Sequence, residues 1–193
     1  MAEQKKLDQT LIPLFDCLEG ERLSVRPYRE EDAAALYEAV SESRDHLRTW
    51  LPFADKHQNV DESRAWINSV RAQWILRENM NCGIFEAGNG AFLGGIGLHV
   101  HSWTIRYFEI GYWLRKSAEG HGYMTEAVQK LTDFALGDLL ANRVEIKCDE
   151  RNANSANVAR RLGYIYEGRI RNDFEAPNGE PTNTLVFSRI PGD

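Results

Sequence analysis

The segment from Arg115 to Ala127, RKSAEGHGYMTEA, places two glycines around a histidine between a strand-like run and a helix-like run. The first backbone N–H groups of a helix have no acceptor within it, and the helix dipole favours an anion there. Glycine also lets the backbone approach a bulky pyrophosphate closely, because it has no Cβ. The groups that would line such a site are the Thr125 hydroxyl and the N–H groups of Gly120, His121, Gly122, Tyr123 and Met124. The segment therefore predicts a loop that binds phosphate groups.

Taken alone, this pair of glycines is a weak motif. No Gly-Lys-Ser/Thr follows it, as a P-loop requires, and Thr125 occupies the third glycine position of a dinucleotide fingerprint. A strand-to-helix turn that merely needs glycine is the alternative, and the loop by itself leaves it open.

Histidines and cysteines could bind a metal, but their spacing defines no site. His99 and His101 lie two residues apart and so share one face of a strand, yet a metal would need a further ligand from elsewhere. We expect no metal, and the two histidines either line a substrate groove or belong to ordinary surface. Cys17, Cys82 and Cys148 are odd in number and far apart, which predicts small buried side chains in a reducing, cytoplasmic setting.

The elements that must position these residues follow from hydrophobic periodicity and turn residues. The predicted order is β α α β β β α β α β β, and strand runs broken by helices favour a mixed α/β sheet. The predicted strands are ERLSVRP, MNCGIFEA, AFLGGIGLHVH, YFEIGYWL, RVEIKCD, GYIYEGRI and NTLVFSRI. The predicted helices are EEDAAALYEAVSES, NVDESRAWINSVRAQWILREN, the run after the glycine loop, and NSANVARRL. RNDFEAPNG is predicted to be a loop.

Length and charge limit the class of protein. The 193 residues suffice for one domain with a proper core, and a net charge of −6 argues against a nucleic-acid surface. No run is apolar enough for a membrane span, and the start, MAEQKKLDQT, lacks the apolar region of a secretory signal. We predict an N-terminal extension over residues 1–20, whose LIPLF patch docks on the body or on a partner, and a single domain over 21–193.

Two longer motifs occur in a fixed order, EIGYWLRKSAEGHGYMTEAVQKL and then NRVEIKCDERNANSANVARRLGYIYEG. Together they resemble the GCN5-related N-acetyltransferase (GNAT) superfamily, and within it the RimJ/RimL branch that acetylates ribosomal-protein N-termini. The resemblance covers roughly residues 21–190. It implies an α/β (α+β) GNAT fold: a mixed, mostly antiparallel sheet of about seven strands, splayed at its centre and flanked by about four helices. It also implies acetyl-CoA as the co-substrate.

In that family the glycine loop binds the CoA pyrophosphate, and this chain departs from the family pattern at two positions. Glu119 replaces a cation or an amide, and Met124 replaces a small residue. A carboxylate beside phosphates is repulsive, so Glu119 should point away from them. Arg115 or Lys116 could then restore the positive potential.

The resemblance also implies how the rest of the cofactor is held. The pantetheine arm would pair, as an added strand, with the backbone of Tyr112, Trp113 and Leu114 where the sheet splays. Asn152 and Ser155 match the Asn-x-x-Ser of the RimJ/RimL pattern. The Asn152 amide would bond the pantetheine, and the Ser155 hydroxyl would lie towards the sulfur.

Acetyl transfer to an amine needs a base, an oxyanion site and a proton for the CoA thiolate. An α-amine of pKa roughly 7.7–8.0 needs only about 1 kcal/mol for deprotonation at neutral pH, so a weak base suffices. The candidate bases are Glu109 and, in the predicted loop, Asp173 or Glu175. The tyrosine that serves many family members as the acid falls at Ala159, so Ser155 is the replacement expected here. Its alternative role is that of a helix N-cap.

The sequence thus predicts an N-acetyltransferase that works by direct attack in a ternary complex. The expected acceptor is the N-terminal α-amine of a protein, a ribosomal one by resemblance. A small amine, such as a polyamine or an antibiotic, and a non-catalytic acyl-CoA-binding module are the alternatives. A homodimer is left open, and no nucleic acid or membrane partner is expected.

Overall fold

The computed structural model of the protein describes residues 8–176 and 179–193. Four α-helices span Ala33–Arg48 (α1), Val60–Leu76 (α2), Tyr123–Gly137 (α3) and Ala153–Arg161 (α4). Eight strands span Leu18–Glu19 (β1), Leu23–Pro27 (β2), Asn79–Glu86 (β3), Phe92–Ser102 (β4), Tyr107–Leu114 (β5), Arg143–Asp149 (β6), Ile165–Glu175 (β7) and Pro181–Arg189 (β8). None of these helices combines the length and apolarity needed to cross a bilayer.

The eight strands form one sheet in the order β1-β2-β3-β4-β5-β6-β8-β7. All neighbours are antiparallel except β5 and β6, which are parallel. The parallel pairing covers only Tyr107 to Glu109 against Arg143 to Glu145. Beyond Glu109, β5 continues to Leu114 paired with β4 alone, while β6 continues paired with β8 alone. The predicted splay at the centre of the sheet is therefore confirmed.

The two faces of the sheet bury different helices, because alternate residues of a strand point to opposite faces. Ile110, Tyr112 and Leu114 of β5 join the larger core cluster, which also contains the buried sides of α3 and α4. Trp113, between them, joins a second cluster under α1 and α2. The helix predicted after the glycine loop is α3, and its buried residues include Met124, Ala127, Val128, Leu131, Phe134 and Ala135. The sheet thus has an α3/α4 face and an α1/α2 face.

The strand beyond the predicted seven is β1, which lies within the predicted N-terminal extension. Leu18 and Glu19 pair with Val25 and Ser24 of β2. Phe15 packs edge-on against both Trp74 of α2 and Phe134 of α3. The LIPLF patch therefore docks on the body of its own chain.

One element was predicted wrongly. RNDFE, predicted as part of a loop, lies in β7, which pairs with β8 as far as Glu175. The turn chemistry of this stretch is overridden by hydrogen bonding to the neighbouring strand, with irregular register between Ile170 and Phe174. Residues 177–178 of the predicted loop RNDFEAPNG lie outside the described residues. Cys82 and Cys148 are buried as predicted, whereas Cys17 is partly exposed.

Candidate active site

The glycine loop adopts a backbone that only glycine takes readily. Gly120 and Gly122 have φ angles of 79° and 80°, and Gly122 is the N-cap from which α3 starts. The first N–H group of this segment with an acceptor is that of Glu126, which donates to the Gly122 carbonyl. Within the described residues, the N–H groups from Gly120 to Thr125 have no acceptor. Six successive donors at a helix N-terminus form a site suited to an anion such as a pyrophosphate.

The two departures from the family pattern are both accommodated. The Glu119 carboxylate lies 2.5 Å from His46 Nε2 on α1 and 2.7 Å from Lys116 Nζ, so two basic side chains hold it. The Met124 side chain is buried in the core, whereas its N–H belongs to the loop. Neither residue obstructs the donors of the loop.

The cation beside the loop is not the one expected from the sequence. Arg115 binds the Glu42 carboxylate of α1, with Nε 2.9 Å from Oε2, and Lys116 binds Glu119. Arg22 of the β1–β2 turn instead reaches the loop, where its Nη1 donates to the His121 carbonyl at 2.7 Å. Its Nε also donates to Glu126 Oε2 at 2.9 Å. Sequence reasoning missed Arg22, since no local pattern links it to a loop about a hundred residues away.

Beyond Glu109 the strands β5 and β6 separate and leave a gap between them. Ser155 lies across this gap from Tyr112. The Tyr112 hydroxyl is 3.0 Å from Ser155 Oγ, and burial raises the pKa of Tyr112 above its usual range. Asn152 is the N-cap of α4, and its Oδ1 accepts the Ser155 N–H at 3.0 Å. The cap role considered for Ser155 thus belongs to Asn152, and the Ser155 hydroxyl is left for the gap. The phenol of Tyr112, expected only as a backbone contact, is a second hydroxyl there.

Glu109 belongs to an ion-pair network at the end of the β5–β6 pairing. Its Oε2 lies 3.0 Å from His101 Nε2 and 3.3 Å from Lys147 Nζ, and Lys147 also binds Glu145 at 2.7 Å. His101, Glu109 and Glu145 could offer three ligand atoms within 4.8 Å of one another, a juxtaposition that the sequence did not reveal. The Lys147 ammonium contacts both carboxylates and the Arg143 guanidinium also binds Glu145, so we interpret the group as ion pairs. The absence of a metal remains a prediction.

The α1/α2 face of the gap is polar near β4. His99 is half-buried, pairs in register with Glu109, and has its Nδ1 3.2 Å from Asn79 Oδ1. Trp113, expected beside the pantetheine, directs its side chain to this face and packs against Phe53 and Phe92. An acceptor amine could therefore approach the gap from this face while the cofactor lies on the α3/α4 face.

The remaining candidate bases lie elsewhere in the sheet. Asp173 and Glu175 are exposed on β7, the edge strand, which β6 and β8 separate from β5. Ala159 is fully buried in the core, as expected for a position without a catalytic side chain. Of the candidate bases, Glu109 is therefore the one that the fold brings to the end of the gap.

Comparison with known proteins agrees with this arrangement. Residues 22–165 match the family described as "Acetyltransferase (GNAT) domain". YdaF of Bacillus subtilis (strain 168), whose assignment as a ribosomal N-acetyltransferase is provisional, is 33% identical over 180 residues, covering 92% of this chain and 96% of YdaF. The ribosomal-protein-serine acetyltransferase of Escherichia coli (strain K12) is 26% identical over 172 residues, covering 89% of this chain and 94% of that protein.

Among solved structures, the fold is similar to that of RimL, the ribosomal L7/L12 alpha-N-protein acetyltransferase, in complex with coenzyme A. The TM-score is 0.82 at 25% sequence identity, covering 90% of this chain and 97% of RimL. The splayed sheet, the anion-binding loop and these relatives lead to one assignment. The chain belongs to the GNAT acetyltransferases, in their RimJ/RimL branch, and is an acetyl-CoA-dependent N-acetyltransferase.

Proposed function

We propose that the protein transfers the acetyl group of acetyl-CoA to the N-terminal α-amine of a protein, most simply a ribosomal one, by direct attack within a ternary complex. The observation that carries this proposal is the gap between β5 and β6. Donors for phosphate groups begin α3 on one side of the sheet, and a polar face lies on the other. The names of the similar proteins favour a ribosomal-protein acceptor.

In this proposal the chain's own groups divide the work. The N–H groups from Gly120 to Thr125 hold the pyrophosphate, and the free backbone of β5 from Tyr112 to Leu114 pairs with the pantetheine. A β5 N–H stabilises the oxyanion, and the hydroxyls of Ser155 and Tyr112 supply a hydrogen bond and a proton to the departing thiolate. Asn152 holds the turn of α4 that carries Ser155.

The hypothesis of a non-catalytic acyl-CoA-binding module is no longer supported by the two features that suggested it. It depended on a missing acid and on a repulsive Glu119, yet a Tyr112–Ser155 hydroxyl pair occupies the gap and His46 and Lys116 hold the Glu119 carboxylate. A small amine is the remaining alternative acceptor.

Thiol release from acetyl-CoA tests the acceptor class. Peptides that begin with Ser, Ala or Met are compared with polyamines and aminoglycosides at equal concentration. Release with the peptides alone supports the proposal, and loss of that release with the same peptides blocked at their α-amine identifies the reacting nitrogen. Release with small amines alone would reject the protein acceptor.

The cellular location, the partners and the oligomeric state remain predictions. We infer that the protein works in the cytoplasm, where ribosomal proteins are made, without a nucleic-acid or membrane partner. The edge strand β7 exposes Ile165, Tyr166, Ile170 and Phe174, which is compatible with a homodimer. Light scattering of the purified protein measures the mass and decides this point.

A further inference from the structure

His99 lies over the part of β5 where the gap opens. A Cβ built on Gly111 would lie 3.0 Å from His99 Nε2, so the imidazole occupies the space that a larger residue would fill. Gly111 is the second residue beyond Glu109, the last residue of β5 that pairs with β6. The ring nitrogen therefore faces the freed strand from the α1/α2 face, where we expect the acceptor.

Asn79 fixes which nitrogen of His99 carries the proton. Its Oδ1 lies 3.2 Å from Nδ1 and can only accept, so the neutral ring is protonated at Nδ1. The Nε2 atom then keeps its lone pair. Among the residues that the structure describes, Nε2 has no hydrogen-bond partner, and the half-buried ring keeps part of its surface exposed.

The surroundings keep His99 neutral near pH 7. Burial lowers the pKa of His99 and outweighs the opposing effect of Glu109 on β5, while His101 on the same strand lowers it further. Glu109 is less suited to take a proton, because His101 and Lys147 both contact its Oε2. A neutral imidazole with a free lone pair is the stronger candidate at this position.

We propose that His99, oriented by Asn79, is the general base that deprotonates the acceptor amine. This proposal deepens the proposed function and depends on it for the identity of the amine. Nε2 takes one proton from the ammonium and passes it to solvent, and the freed lone pair forms the C–N bond. The C–S bond breaks with its electrons going to sulfur. Two protons then remain on the nitrogen. The amide product keeps one, and the other is released and replaces the proton that the thiolate gains from Tyr112 and Ser155.

The test compares H99Q with H101Q, a matched control two residues along the same face of β4. The assay uses whichever amine gives turnover, so failure of the protein acceptor and failure of His99 are separate results. We expect H99Q to lower kcat at pH 7 by about 10²- to 10³-fold and H101Q to stay within about 5-fold. Calorimetry should give both variants the wild-type Kd for CoA, which excludes misfolding as the cause.

The pH profile of kcat distinguishes a catalytic role of His99 from a structural one, because loss of a structural contact would not remove the acid limb of the profile. In the wild type, kcat should fall on acidification with a midpoint below the ordinary histidine value of 6.5, and H99Q should lack this limb. N79D, which places a carboxylate beside Nδ1, should move the limb to higher pH by about one unit. An H99Q enzyme that retains kcat within about 5-fold, or that retains the acid limb, overturns the proposal.

Discussion

At the scale of single residues, the pair formed by Tyr112 and Ser155 gives a specific prediction. Their oxygens are 3.0 Å apart across the gap, so each hydroxyl can relay a proton through the other. We expect Y112F and S155A each to lower kcat by about 10- to 100-fold with little change in KM for acetyl-CoA, because thiolate departure is affected more than binding. Steady-state thiol release gives both constants.

The double variant distinguishes two hydroxyls that act as one unit from two hydroxyls that act independently. If the hydroxyls act as one unit, Y112F/S155A should be about as slow as the slower single variant. Losses that multiply would show that each hydroxyl acts alone. N157D, at an exposed position of α4, is the control for disturbance of the helix and should retain most of the activity.

The Tyr112–Ser155 pair also shows which contacts could not be predicted from the sequence. Ser155 was identified because its motif is local, four residues within one turn. Tyr112 was assigned only a backbone role, since nothing near it in the sequence indicates that its side chain meets α4. Likewise, His99 was recognised as a groove candidate, but its contact with Asn79 and its position over Gly111 depend on the register of three strands. Contacts between strands cannot be read from the residues alone.

At the scale of elements, α1 anchors the segment that leads into the phosphate loop. The Glu42 carboxylate accepts from Arg115 and from the Ser117 N–H at 3.0 Å, and Ser43 Oγ accepts the Lys116 N–H at 2.8 Å. The Arg115 guanidinium lowers the pKa of Glu42 to about 2. A helix on the acceptor side of the sheet thus fixes the approach to the cofactor loop.

We therefore predict that E42Q destabilises the fold by about 1 kcal/mol near pH 7 and raises KM for acetyl-CoA several-fold, since a charged, partly exposed hydrogen-bonded pair is lost. Because the folded pKa lies below the unfolded value of 4.5, this stability is full above about pH 4.5 and disappears as the pH falls towards 2. Urea titrations between pH 7 and pH 2.5 should show the two proteins converging.

Glu38 provides the control for this prediction. It lies 3.5 Å from the same guanidinium, but its side chain is 74% exposed, so E38Q should change stability by less than about 0.5 kcal/mol. An E42Q effect that is constant across the pH range would show that the carboxylate charge is not what holds the loop.

Elements whose residues form a clear local pattern were predicted correctly from the sequence. Elements that depend on pairing with a neighbouring strand were not. The strands YFEIGYWL and RVEIKCD coincide with β5 and β6, because both combine β-branched or aromatic residues with clear ends. RNDFE was assigned to a loop for its turn-forming residues, yet pairing with β8 makes it strand. The short strand β1 carries no signal of its own and exists because β2 offers it a free edge.

At the scale of the whole molecule, the N-terminal segment joins the two helical layers. Phe15 contacts Trp74 of α2 and Phe134 of α3, with ring centroids 5.2 Å and 4.7 Å apart, and Arg77 donates to the Ile12 carbonyl. We predict that F15A lowers the free energy of unfolding by about 2 kcal/mol, less than for a fully buried ring, because it opens a space between the helices.

Urea denaturation measures this loss. Leu11, with 80% of its surface exposed, is the matched control, and L11A should stay within about 0.5 kcal/mol of the wild type. Equal effects of F15A and L11A would indicate that the segment does not brace the helices. Activity at 25 °C should persist in both variants, because the segment lies away from the gap.

The net charge of −6 predicts how acceptors reach the enzyme. Two peptides that share their first four residues but continue with lysines or with glutamates should differ in kcat/KM, and the basic one should be faster by roughly 10-fold at 0.01 M salt. At 0.15 M salt the screening length falls from about 30 Å to about 8 Å, so the difference should shrink to a few-fold. A peptide with an uncharged tail should be nearly insensitive to salt. A faster acidic peptide at low salt would instead show that Lys147, just beyond the β5–β6 pairing, outweighs the charge of the molecule as a whole.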